Sequence, residues 1–339
     1  MTHMADEIRD TPNAVARLLD REGANLDRLG AQLRDRTPRV IVTCARGSSD
    51  NAAAYFKYLT EILLGVPVAS IGPSVASVYG APLQLRDAVV VSVSQSGQSP
   101  DIVALQATAR AAGALAIAVV NTEDSPLAEA ADAVVPLHAG PEKSVAATKS
   151  CVASAVALAA LVAGWSRDAG LRSAIARLPE TLATAVAQDW SAAVPVLAAA
   201  QSAYVVGRGP AFPVAAEAAL KLKETAALHA EAFSGAEVMH GPLQLLGDGF
   251  PVIALAQRDA SWEAMTGAIA RLRKAGGRVF PVATEPHGPD TLPAVPTGHP
   301  LLDPLGMLLS FYGLAEAVAA ARGQDPDSPS LLRKVTETI

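Results

Sequence analysis

Two tandem, doubly wound α/β domains on parallel sheets are the fold this sequence predicts, and three observations predict it. Short apolar runs alternate with longer amphipathic stretches along most of the 339 residues, the signature of strands joined by crossover helices. The two halves align at a constant offset of about 162 residues, too long for a solenoid repeat and suited to two domain copies. An Arg-Gly pair, Arg46-Gly47 in one half and Arg208-Gly209 in the other, follows an apolar run and precedes a helix at the matching place in each copy.

The elements follow in order. Residues 1–35 carry balanced charge on one or two amphipathic helices, an N-terminal helical segment suited to dimer or domain packing. Domain one, residues 36–165, has expected strands at 40–44, 66–71, 88–93, 116–120 and 133–135. The Ala-rich segment 151–165 falls short of a membrane span and reads as a buried core helix. A helical linker, 166–200, follows, in which Trp165 and Trp190 are expected to pack. Domain two, residues 201–325, has expected strands at 203–206, 252–256 and 279–282, with a weaker one at 293–295. Its most conspicuous helix runs over 212–229. A C-terminal tail, 326–339, carries Arg333-Lys334.

Composition excludes several classes. The chain has 27 Lys and Arg against 33 Asp and Glu, a net charge of −6, with no basic block. A nucleic-acid surface would show a clustered positive stripe, so no nucleic-acid partner is expected. The polar N-terminus shows no secretory signal, and no membrane partner is expected. Cys44 and Cys151 offer neither a disulfide framework nor metal-ligand spacing. A reducing, cytoplasmic location, no metal and no cofactor are the expectations, with Cys44 a small buried hydrophobe.

The chemistry-bearing segments sit at strand ends. Ser94-Gln95-Ser96-Gly97-Gln98-Ser99 follows the apolar run 88–93 and precedes a helix that starts at Pro100. Backbone N–H groups and the positive end of a helix make such a loop an anion cradle. It lacks the lysine of a nucleotide-binding P-loop, and its hydroxyls suit a phosphate monoester. The plain alternative is a turn that caps the helix through Ser99. The matching loop of the second copy has Ala256, Arg258 and Ser261, so only one copy is built to hold the ligand.

In the second copy Glu217, Lys221 and Glu224 share one helical face through spacings of four and three. Such a row is either a solvated face of weak ion pairs or, given the many flanking alanines, a partly desolvated group able to move a proton. His240 precedes Gly241-Pro242 in a loop, open to proton transfer or to a surface role, whereas His229 reads as a structural residue on the helix. The polar, Gly/Pro-marked stretch 139–149 is a loop able to close over a ligand.

Taken together, Gly47-Ser48-Ser49, Ser94-Gln95-Ser96-Gly97, Val145-Ala146-Ala147-Thr148-Lys149, Ala219-Leu220-Lys221-Leu222-Lys223-Glu224, His229-Ala230-Glu231-Ala232, Glu237-Val238-Met239-His240-Gly241-Pro242 and Asp327-Ser328-Pro329 resemble, in this order, the sugar isomerase (SIS) family, specifically the isomerase domain of glucosamine-6-phosphate synthases. The resemblance implies two tandem flavodoxin-like SIS domains. It implies that Ser94, Gln95, Ser96 and Ser99 hold a 6-phosphate while Ser48 and Ser49 contact phosphate or sugar hydroxyls. Glu224 resembles the base that moves a proton between C1 and C2, with Lys221 orienting it. His240 resembles the ring-opening residue, which in this family reaches in from the second subunit of a homodimer. Lys334 would close the site from the tail, and Val145 and Ala147 would lie along the sugar. Arg46 stands where the synthase has a cysteine, and Ala147 where it has a serine, which puts substrate choice in question. The synthase opens with a glutamine-hydrolysing domain and its nucleophilic cysteine, whereas this sequence starts Met1-Thr2-His3, so ammonia generation from glutamine is not expected of it by itself.

The reaction implied is glucosamine 6-phosphate deamination to fructose 6-phosphate and ammonia. A deglycase acting on a fructosamine 6-phosphate would use the same base with a larger pocket. A non-catalytic sugar-phosphate sensor is the alternative from another class; it would have little need of Glu224 and His240 together.

Overall fold

The computed structural model describes residues 2–333; Lys334 and the rest of the tail lie outside the described residues. The chain divides into two compact units, each discontinuous in sequence. The first comprises residues 13–142 and 149–176, the second residues 2–12, 143–148 and 177–333. A single helix, His3–Arg36, occupies the N-terminal segment where the sequence allowed one or two, and it carries Pro12 where the units divide.

The first unit is built on five parallel strands: β1 (Ile41–Cys44), β2 (Val68–Ser70), β3 (Val89–Ser94), β4 (Leu115–Val120) and β5 (Ala133–Pro136). Their order across the sheet is β2-β1-β3-β4-β5. β3 and β4 are buried at every position, which is why they read as unbroken apolar runs rather than alternating ones. Ser92 is the polar exception in mid-sheet, and its hydroxyl is satisfied by donation to Gln106 Oε1 at 2.6 Å. Helices Ser48–Leu64 and Pro100–Ala111 follow β1 and β3. Where helix Lys149–Ser166 meets the N-terminal helix, a Cβ on Gly30 would lie 2.6 Å from the Gly164 carbonyl carbon, so only glycine permits that approach.

The second unit repeats the plan with β6 (Ser202–Gly207), β7 (His229–Ser234), β8 (Pro251–Leu255), β9 (Arg278–Ala283) and β10 (Leu292–Pro293), all parallel. Their order, β10-β9-β8-β6-β7, is the first sheet's order read from the opposite edge. Two doubly wound, flavodoxin-like sheets of one topology are what the internal duplication requires.

One element departs from the sequence reading. The helix after β6 runs Ala211–Ala226 and stops there, because Ala227 adopts a left-handed conformation (φ 47°). His229 therefore opens strand β7 instead of closing the helix, and its Nδ1 lies 2.9 Å from Ser202 Oγ on the neighbouring strand. The duplication could have revealed this strand: residues 66–71, moved by the same offset of about 162, fall on 228–233.

Helices Lys149–Ser166 and Asp303–Ala321 are long and apolar enough to cross a membrane by length and composition, which corrects the expectation that the first falls short. Their windows are 89% and 72% buried within the protein, so each serves as a core helix here. Trp165 and Trp190 both pack inside. Trp165 ends the first of these helices, and Trp190 donates Nε1–H to the Pro293 carbonyl at 2.8 Å while meeting Phe311 edge-on.

Candidate active site

In a doubly wound sheet the topological switch point lies where neighbouring strands send their connections to opposite faces, and ligands bind beyond the carboxyl ends there. In the first unit this is the cleft between β1 and β3, which pair directly with Cys44 opposite Ser92. The loops leaving these strands carry Arg46, Gly47, Ser48 and Ser49 on one side and Ser94, Gln95, Ser96 and Ser99 on the other, so the fold brings these predicted residues to one place.

The serine loop is shaped by its glycine. Gly97 takes φ 65°, and a Cβ there would stand 2.2 Å from Ser125 Oγ. Ser94 Oγ accepts the Gly97 N–H at 3.0 Å and Ser96 Oγ accepts the Gln98 N–H at 3.2 Å. Each hydroxyl is thus fixed in direction as an acceptor and keeps its own O–H to donate. Ser99 sits at the N-cap of helix Pro100–Ala111 in extended conformation and makes no side-chain capping bond.

Arg46 does not stand beside the loop as an unpaired cation. Its Nε donates to Asp101 Oδ2 at 2.7 Å and a terminal nitrogen bonds the same oxygen. Asp101 is buried in the first turn of the following helix, while Arg46 is half-exposed. The pair ties the β1 loop to the first turn of the helix after β3 and neutralises a carboxylate that would repel an anion at that helix start. Nothing in the sequence reading found Asp101; an acid two residues beyond Ser99 was the available signal. Nearby, burial raises the Asp50 carboxyl above its ordinary value. Burial, then Asp101 and Asp50, push the Cys44 thiol to about 12, so this cysteine is an inert part of the core.

In the second unit, helix Ala211–Ala226 carries the row Glu217, Lys221 and Glu224. The reading of this row as a solvated face is corrected. Lys221 is 0% exposed and Glu217 1%, because alanines at 215, 218 and 219 let neighbouring elements close over them. Lys221 Nζ bonds Glu224 Oε2 and lies 3.4 Å from Glu217 Oε1, which also accepts the Tyr312 hydroxyl at 3.0 Å. A buried ammonium costs several kcal/mol of desolvation unless carboxylates face it, and here two do. Glu224, 26% exposed, is the end of the row that reaches solvent.

His240 is exposed on the turn between the short helices Glu237–Met239 and Pro242–Leu245. Its backbone N–H donates to the Glu237 carbonyl at 2.8 Å, and Gly241 beside it takes φ 126°. Residues 143–148 form a strap without regular structure that belongs to the second unit. Along it Ser144, Ala146 and Thr148 are buried while Val145 and Ala147, the two predicted sugar contacts, are half-buried. Lys334 lies outside the described residues. Among the described residues no cluster of three or more His, Cys, Asp or Glu side chains is arranged to hold a metal.

The family model for the SIS domain matches residues 36–164 and 196–289, one match on each five-stranded sheet, and the chain belongs to this family. It is homologous to the isomerase domain of glutamine–fructose-6-phosphate aminotransferases. The enzyme of that name from Thermus thermophilus is 32% identical over 98% of this chain, which spans 58% of that relative's length. A crystal structure from Silicibacter pomeroyi DSS-3, described as a phosphosugar isomerase, is 48% identical and superposes with a TM-score of 0.91 over 96% of this chain and 100% of that one. A glucosamine-6-phosphate deaminase from Thermotoga maritima, 20% identical over 99% of this chain and all of that one (TM-score 0.77), shares the fold.

Proposed function

We propose that this protein is a phosphosugar isomerase of the deaminating kind, converting glucosamine 6-phosphate to fructose 6-phosphate and ammonia. The observation that carries the reading is the carboxylate of Glu224, held by a fully buried lysine yet open to solvent. A base that must reach a carbon acid needs both properties: a fixed direction and an exposed oxygen.

In this reading Ser94, Ser96, Ser99 and the backbone around Gln95 hold the 6-phosphate, with Gly47, Ser48 and Ser49 beside it. Val145 and Ala147 line the sugar, and Lys334 closes over it from the tail. His240 of one copy opens the pyranose in the neighbouring copy of a homodimer; its exposure and lack of a side-chain partner among the described residues support this role. Glu224 then takes the C2 proton and returns it at C1, passing through an enolamine to the C2 imine. Water adds to C2 and ammonia leaves. Lys221 keeps Glu224 aligned, and Arg46 stays with Asp101. The homology to an aminotransferase isomerase domain supports an amino-sugar phosphate as the substrate class.

The test is ammonia release from a panel of hexosamine 6-phosphates, set against amino-acid release from fructosamine 6-phosphates. Glu224→Gln should lower kcat by roughly 10²–10⁴-fold, the usual weight of a positioned base, and leave sugar-phosphate affinity within about threefold. Near-normal turnover in that variant would remove Glu224 from its role. Amino-acid release in place of ammonia would move the protein to the deglycases, and tight binding without any turnover would make it a sensor.

A further inference from the structure

The strap 143–148 has no strand or helix of its own, so its backbone groups need other partners. Two backbone N–H groups find a partner at the beginning of the chain and one, with a side-chain hydroxyl beside it, at the end. Glu7, buried in the first turns of the N-terminal helix, accepts the N–H of Lys143 and, at 3.4 Å, that of Ser144. Near the C-terminus the Asp327 carbonyl accepts the Val145 N–H at 3.3 Å, and the Pro326 carbonyl accepts the Ser144 hydroxyl at 3.3 Å. Asp327 then joins the two ends: its carboxylate accepts the N–H groups of His3 and Met4 at 2.6 and 2.7 Å, capping the helix that carries Glu7. Charge-assisted bonds of this kind are about twice as strong as neutral ones. The arrangement closes a ring of Asp327 to helix start, helix to Glu7, Glu7 to strap and strap back to Asp327.

We propose that Glu7 and Asp327 are positioning residues that set the register of the strap and thereby the aim of Val145 and Ala147 at the sugar. The last step rests on the function proposed above; the ring itself does not. A slip of the strap by one residue would carry other side chains into the half-buried places that Val145 and Ala147 now hold. The carboxylate at residue 7 prevents that slip because two successive N–H groups converge on one oxygen.

The experiment uses the full chain and four variants: Glu7→Gln, Glu7→Ala, Asp327→Asn and Asp327→Ala. Amide hydrogen exchange across residues 141–149 reads the strap, and steady-state kinetics with glucosamine 6-phosphate read its consequence. Asp327→Ala and Glu7→Ala should speed exchange in the strap at least ~10-fold and raise KM by about tenfold while kcat changes less than about threefold, since a misplaced contact costs alignment rather than the base. Glu7→Gln and Asp327→Asn, which keep an acceptor oxygen, should restore most of the protection. A purely structural role would lower thermal stability and leave KM alone. Unchanged exchange in both alanine variants overturns the ring. Faster exchange with unchanged KM overturns its link to the sugar. If the wild-type protein turns over no sugar phosphate, the proposed function falls by itself, and the exchange data alone uphold or overturn the ring.

Discussion

At the switch point of the first sheet the loop after β3 holds serine hydroxyls and a glycine and no carboxylate; at the same place in the second sheet the loop has supplied an anion of its own. Asp259 occupies the position that Gly97 holds in the first copy. Its Oδ1 accepts the N–H of Ser261 at 2.7 Å and the Ser261 hydroxyl at 2.5 Å, and Oδ2 accepts from Gln257 Nε2 at 2.9 Å. Those groups sit just ahead of helix Trp262–Lys274, where an external phosphate would otherwise be received. Arg258, in the place of Ser96, turns outward to pair with Glu285 and cover the Trp262 ring. The two copies thus differ at this turn by a carboxylate in place of a glycine, and in the second copy that carboxylate takes up the donors of its own loop. The second copy spends its reactive groups elsewhere, on the helix after β6.

The comparison can be broken from either side. The largest effect falls on the buried row. Lys221→Met strands the Glu217 carboxylate in a dry interior and should cost about 3–5 kcal/mol of stability, measured by urea unfolding. Pairing it with Glu217→Gln should recover a large part, because the two sites are coupled. A loss under about 1 kcal/mol for the single variant would mean that water reaches the row and that the buried description is wrong.

Gly97→Asp is the more pointed exchange, since it gives the first loop the residue that closes the second. The new Cβ meets Ser125 and the new charge opposes phosphate, so affinity for glucosamine 6-phosphate should fall by at least ~100-fold in calorimetry. Binding kept within about threefold would show that the loop is not the phosphate site. The smallest effect is Asp259→Asn. It should lower stability by about 1 kcal/mol, the weight of hydrogen bonds that lose a charged acceptor, and leave KM unchanged. A changed KM would show that the second nest takes part in substrate binding after all.

Much of this was legible from the residues. Parallel strands buried on both faces announce themselves as apolar runs, so nine of the ten strands among the described residues lie close to where the sequence predicts them; β7 is the exception. His229-Ala-Glu-Ala-Phe-Ser alternates weakly and continues without a glycine or proline from a helix of alanines, so local pattern extended the helix through it. Only the left-handed turn at Ala227 separates the two. The serine loop and the Glu217–Lys221–Glu224 row were likewise visible, the first from its place after a strand and the second from helical spacing. Their states were not. Whether Lys221 is solvated or dry depends on what packs over the alanines beside it, and the fate of the Arg46 charge depends on Asp101, 55 residues away.

The sequence alone therefore determined the duplication, the sheet class and the residue types at each strand end, because these follow from periodicities of about two to four residues and from one long repeat. Tertiary structure decided which charges are buried, which loop is already filled, and that residues 7, 143–145 and 327 form one ring. Those facts belong to pairs far apart in the chain, and only the packing of elements brings such pairs within hydrogen-bonding distance.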